Sequence, residues 1–135
     1  MAKSLFPDSM MRTSDMSIET IAGKLTYFHE QLHLLHWNTK SYAEHMALGG
    51  LYDYVHDFKD GVVEKLMGYT GKRVASLTIA PISPATSSSI VVSDLITFAH
   101  DLKVWAGNNN YDDVENLAQS LSGEAAKVKY LLTLS

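Results

Sequence analysis

Residues 29–45 read HEQLHLLHWNTKSYAEH, and this stretch decides the fold. Up to Trp37, apolar and histidine positions recur at three- and four-residue steps, the period of an α-helix. Asn38-Thr39-Lys40-Ser41 interrupts the pattern with four consecutive polar residues. Ser41 and Glu44 then spell S-x-x-E, the capping box that opens a new helix. Two amphipathic helices joined by so short a break predict an antiparallel hairpin.

Upstream, Ile18, Ile21, Leu25, Phe28, Leu32 and Leu35 extend the first stripe. Helix one is therefore expected from about Ser17 to Trp37, capped by Asp15 or Ser17, with Glu19 in the first turn where the macrodipole favours an acid. Downstream, Leu48, Leu51, Val55, Phe58, Val62 and Leu66 carry helix two from about Tyr42 to Met67. Gly49, Gly50 and Gly61 lie inside it, each costing about 1 kcal/mol relative to alanine. Gly68 and Gly71 punctuate its end.

Pro81, Pro84 and the Ser/Thr run at 86–89 argue against helix in a long connection over 69–92. Val74, Leu77, Ile79, Ile82 and Ile90 are its expected apolar anchors, which makes it a packed crossover. Helix three is expected from Ser93-Asp94 to Gly107, short at about 13 residues or ~20 Å. Asn108-Asn109-Asn110 is a turn, and helix four runs from about Asp112 to Leu132. The class is all-α: a four-helix up-down bundle with one long crossover between helices two and three, the ferritin-like connectivity. Residues 1–14 have no periodicity and read as an N-terminal arm. Residues 15–135 read as one domain.

The remaining composition excludes several chemistries. The 135 residues carry a net charge of −4 and no cysteine. Thiolate metal sites, disulfides and cysteine nucleophiles are absent. An acidic chain with only Lys3 and Arg12 in its arm lacks the basic face that nucleic acid requires. No apolar run approaches the ~18 residues of a membrane span, and no secretory h-region precedes Pro7. A cytoplasmic protein is expected. No phosphate-binding glycine loop or nucleophile elbow is present.

Five of the six histidines lie between His29 and His56. His29, His33 and His36 share an arc of roughly 60° at ~100° per residue, bordering the apolar stripe of helix one. On helix two, His45, Tyr52, Asp53, His56, Asp60 and Glu64 form a band beside that helix's stripe. Imidazoles and carboxylates together suit iron, zinc or manganese, and bundles build metal sites from side chains on facing helices. The bland reading is that such residues are hydrogen-bonded core-edge histidines and solvated acids. Trp37 and Tyr42 read as core or interface aromatics.

His33, His45, Asp60 and Glu64 follow one another at steps of twelve, fifteen and four. This order resembles the ferroxidase motif of the Dps branch of the ferritin-like superfamily. The resemblance is strongest over residues 33–68. It implies that His33 and His45 of one chain face Asp60 and Glu64 of a two-fold mate, with Glu64 as a bridging carboxylate. Two positions depart from the motif. The family's aspartate four residues after the second histidine falls on Gly49, with Asp53 one turn later as its substitute. The family's His-Trp pair stands at His36-Trp37, so either His33 or His36 is the equivalent ligand. The segment from His36 to His45 is also similar to an H-W-x-T-x-S-Y-A-x-H core of small phage-type ferritin-like proteins. A glutamate with two E-x-x-H motifs, the single-chain di-iron pattern, is not present; Asp53-x-x-His56 is the nearest relative.

Two functions follow as expectations. One is an iron-binding protein or Fe(II) ferroxidase whose ligands are His33, His36, His45, Asp53, Asp60 and Glu64. A variant of it is a single Zn(II) or Ni(II) ion held by His29, His33 and His36, or by His45 and Asp53. The other is an inactive ferritin-like bundle serving as a dimerisation or interaction module. Both imply a homo-oligomer, at least a dimer, with no nucleic-acid and no membrane partner.

Overall fold

The computed structural model describes residues 16–135. The proposed arm and the alternative cap Asp15 lie outside the described residues. Among those described there are four α-helices, a final 3₁₀ turn at Leu132–Leu134 and no strand. The helices are α1 (Ile18–Asn38), α2 (Tyr42–Thr70), α3 (Ser88–Asn108) and α4 (Asp112–Leu131). The hairpin α1–α2 packs as one unit and α3–α4 as the other, with α2 against α4 and α1 against α3.

The core is the set of stripes seen in the sequence. Ile21, Leu25, Phe28 and Leu32 of α1 are fully buried with Leu48, Val55, Val62 and Leu66 of α2. Leu95, Phe98 and Leu102 meet them from α3, and Val114, Ala118, Leu121 and Ala125 from α4. Each fully buried Leu, Ile, Val or Phe contributes roughly 1.5–3 kcal/mol of transfer free energy.

Helix ends follow local chemistry. The Ser17 hydroxyl accepts from the Thr20 N–H at 3.1 Å and caps α1. The Ser41 hydroxyl accepts from the Glu44 N–H at 3.2 Å and caps α2. The other half of that capping box is not made: the Glu44 carboxylate accepts from the Ser88 hydroxyl at the start of α3 instead. Gly71 ends α2 at φ 70°, a left-handed position that glycine adopts without a Cβ clash.

Helix three corrects the sequence reading. It has 21 residues and begins at Ser88, one and a half turns before Ser93-Asp94. Serine and β-branched residues are poor helix formers, but burial of Val91 and Val92, both fully buried, overrides them. Asp94, expected at the start of the helix, is buried at 8% exposure in the second turn, where its charge acts on Tyr27. The α3 helix therefore takes in residues 88–92, which were expected in the crossover.

The crossover over 72–87 is held differently from its expected anchors. Leu77, Ile79 and Ile82 are exposed, and Ala80 is the buried residue. Val74 packs against the core as expected, and the rest of the segment is fixed by its backbone. Gln31, fully buried, donates to the Ser83 carbonyl at 2.7 Å and accepts from the Ser83 N–H at 2.9 Å. The Glu19 carboxylate accepts from the Ala75 N–H at 3.4 Å. Between these clamps, a methyl on Gly23 would run into the Thr78 carbonyl oxygen. Glycine is required there because the crossover backbone lies directly on α1.

Candidate functional site: a histidine ladder on α1 and α2

Contacts between α1 and α2 run in opposite directions along the chain. His36 meets His45, His29 meets His56, and Lys59 donates to the Thr26 hydroxyl at 3.4 Å. The two histidine bands of the sequence are thereby zipped into one ladder, with Tyr52 at its centre. The Tyr52 ring stacks on His33 at 4.4 Å and meets His36 and His29 edge-on at 5.2 and 5.6 Å. Trp37 closes the far side of His33 at 3.9 Å, while remaining 65% exposed itself. Tyr42 is 69% exposed, so neither aromatic is in the core of the chain.

The rung at the hairpin end is a reciprocal clasp. Nδ1–H of His36 donates to the His45 carbonyl at 2.6 Å, and Nδ1–H of His45 donates to the His36 carbonyl at 2.9 Å. The rings stack at 3.7 Å, 19° from parallel. A carbonyl can only accept, so each Nδ1 carries its proton. Nε2 of each ring is left for another partner. Gly49 makes this rung fit: a Cβ there would stand 3.0 Å from His36 Cε1 and 3.2 Å from Nδ1. The position where the resemblance wants an aspartate is thus taken up by the His36 ring. Gly50 and Gly61 have nothing within 4 Å of a built Cβ.

At the other end, His29 Nδ1 is 2.8 Å from the Glu30 carboxylate and His56 Nδ1 is 3.3 Å from that of Asp57. Four of the five ladder histidines therefore have Nδ1 engaged by an oxygen acceptor. Carboxylates or carbonyls on Nδ1 orient imidazoles and raise the basicity of Nε2 in metal centres.

The carboxylates are placed apart from this cluster. Asp53 is exposed on α2. Asp60 and Glu64 form their own pair: the hydrogen bond to Asp60, and then its charge, push the Glu64 carboxyl above its usual range. Asp60 lines a shallow pocket of about 200 Å³ with Ala22, Thr26, Lys59, Val63, Val74 and Leu77. Among the described residues, no three His, Asp or Glu side chains converge as a metal-holding group within one chain. The structure thus gathers His33, His36 and His45, joins Asp60 to Glu64, and leaves the two groups separate.

A family model, described as a family of unknown function (DUF5856), matches residues 36–132. The chain belongs to DUF5856. The DUF5856 match takes in the clasp, Gly49, Asp53, Asp60, Glu64 and the three helices from α2 onward, and it starts after His29 and His33. No curated protein and no solved structure matches the chain significantly. None of the helices among the described residues of this DUF5856 member is long and apolar enough to cross a membrane.

Sequence reasoning missed the polar core. Lys24 is 1% exposed, with its ammonium 5.7 Å from the Phe98 ring centre. Burial pushes the Tyr27 hydroxyl up to about 12, with the Asp94 charge adding to it. Burial also raises the Asp101 carboxyl, against the pull of His100 and Lys24. The available signal was Lys24 and Gln31 each sitting beside an apolar stripe position.

Proposed function

We propose that this DUF5856 protein is a ferritin-like bundle that binds iron at an interface between two copies of the chain. The observation that carries the reading is the engagement of Nδ1 of His36 and His45 by each other's carbonyls, which leaves Nε2 of each ring for a ligand. His33, His36 and His45 supply imidazoles, and Asp53, exposed on α2, a carboxylate. Asp60 and Glu64 of a second copy complete the set. Two copies docked by a two-fold through their α1–α2 faces set the histidine end of one against the carboxylate end of the other. A mixed imidazole and carboxylate set suits iron, and also zinc or manganese. A cation between Asp60 and Glu64 would replace the interaction that raises Glu64.

Chain directions support the ferritin-like topology. On α4, the Lys65–Asp113 ion pair and the action of the Glu124 charge on Tyr54 set α4 antiparallel to α2. The crossover advances from Ala75 to Ser83 as α1 advances from Glu19 to Gln31. It returns the chain to the end where α2 began, where the Ser88 hydroxyl meets Glu44.

The test is an anaerobic Fe(II) titration of untagged protein, wild type against Asp60→Ala/Glu64→Ala. Binding that the double variant loses supports an inter-subunit site. Aerobic oxidation faster than a buffer blank then extends it to ferroxidation. Absence of binding by folded wild type rejects it in favour of an interaction module. That second reading has its own observation: Trp37, Tyr42 and Met46 are 65%, 69% and 57% exposed at the hairpin end, and large exposed apolar groups mark contact surfaces.

A further inference from the structure

We propose that His29 and His56 form a bis-imidazole site for one divalent first-row transition ion within a single chain. The site lies outside the residue set assigned above and does not need a second copy. It extends the reading of the ladder as a metal-binding face to its opposite end.

Geometry selects this pair. With a Zn–N bond of ~2.0–2.1 Å and the ring centre about 1.2 Å behind the nitrogen, two imidazoles at a tetrahedral angle have centroids about 5.2 Å apart. The His29 and His56 rings stand 5.4 Å apart, inclined at 49°. His36 and His45, at 3.7 Å and nearly parallel, are stacked too closely for that arrangement. The His33 ring is stacked on Tyr52 at 4.4 Å and lies tilted against Trp37 at 3.9 Å. His29 and His56 make no ring contact closer than 5.4 Å.

The chemistry of the pair agrees with its spacing. Each Nδ1 is held by the carboxylate of the next residue, Glu30 or Asp57. That arrangement fixes Nε2 as the ligand atom and strengthens it. The two rings come from different helices, so a shared ion adds a cross-link beside the Thr26–Lys59 contact. The His56 side chain is 64% exposed and that of His29 15%. An ion can therefore enter from solvent on the His56 side. The remaining coordination positions are open to water or to an external oxygen donor. Zn(II), Co(II) and Ni(II) accept such imidazole sites.

The test uses the full untagged chain carrying Asp60→Ala/Glu64→Ala, which removes the carboxylates of the inter-subunit site. Zn(II) affinity is measured against a chromophoric chelator, and Co(II) binding by its visible spectrum. One ion per chain is expected, with tetrahedral Co(II) absorption. Adding His29→Gln or His56→Gln, each checked for unchanged helicity, is expected to weaken binding at least tenfold. No Zn(II) binding in the carboxylate-free background overturns the proposal, and so does binding that both glutamine variants retain. Neither result bears on the Fe(II) comparison above, whose failure would instead be no Fe(II) binding by wild type, or equal binding with and without Asp60 and Glu64.

Discussion

Gly49→Ala is expected to destabilise the chain, whereas Gly50→Ala, one residue on, stabilises it. Alanine is favoured over glycine in a helix interior by about 1 kcal/mol. At Gly50 a methyl meets nothing within 4 Å, so that gain is realised in full. At Gly49 the methyl stands 3.0 Å from His36 Cε1, inside the ~3.5–4.0 Å at which carbon atoms rest. The ring must retreat, but it is held twice: Nδ1 is 2.6 Å from the His45 carbonyl, and the ring centre is 3.7 Å from that of His45. Yielding weakens one hydrogen bond, about 1 kcal/mol net. It also disturbs a ring stack of about 0.5–1.5 kcal/mol. The loss exceeds the helix gain, and the two alanine variants should differ by about 2 kcal/mol. Urea unfolding followed by circular dichroism reads this directly. In a His36→Ala background the obstacle is gone, so Gly49→Ala should recover its gain of about 1 kcal/mol. That non-additivity is the signature of a direct contact. Equal stabilisation by the two alanines, or a Gly49→Ala cost that persists without His36, would refute the clasp.

Three further outcomes follow from the same structure. Gln31→Leu strips the Ser83 N–H and carbonyl of their partners, and is expected to cost roughly 1–3 kcal/mol. It should also open residues 72–87 to limited proteolysis; unchanged cleavage there would contradict the clamp. The Tyr27 hydroxyl has its folded value raised from 10.0 to about 12, so the folded chain holds a proton that the unfolded chain releases. Stability therefore falls as pH rises from 10 towards 12, by up to about 1.4 kcal/mol per unit. Tyr27→Phe should flatten that decline, and an unchanged alkaline unfolding profile would show that Tyr27 is not its source. Gly23→Ala should disrupt the crossover by displacing Thr78, detected as a lower melting temperature; a melting temperature at or above wild type would count against the backbone contact.

The helices were legible because their stripes are long and regular. From Ile18 to Leu35 and from Leu48 to Leu66 the apolar residues keep one face, and the polar break at 38–41 can be only a turn. The start of α3 was not legible. Ser88, Ser89 and Ile90 have weak intrinsic preference for helix, and it is the burial of Val91 and Val92 against the other helices that decides it. The crossover misled for a related reason. Apolar side chains suggested anchors at Leu77 and Ile79, but the segment is fastened through backbone groups, which carry no sequence signal. Spacing alone showed that the histidine bands flank two core-facing stripes on adjacent helices. That His36 and His45 spend Nδ1 on each other's carbonyls depends on the register of the hairpin, as does the role of Gly49. The carboxylates illustrate the limit of spacing. Asp60 and Glu64 share a band with the histidines on paper but sit about 22 and about 28 Å along the helix axis from the His45 end, at about 1.5 Å per residue.

X-ray absorption at the iron edge, on untagged protein loaded anaerobically with Fe(II), tests the metal-binding account most directly. The predicted spectrum has nitrogen and oxygen neighbours near 2.1 Å, approximately, with the multiple scattering of imidazole rings. That imidazole signal should diminish in a variant with His33, His36 and His45 replaced by glutamine. Iron that binds through oxygen neighbours alone, or a folded protein that takes up none, would contradict the assignment of the ladder as a metal-binding face.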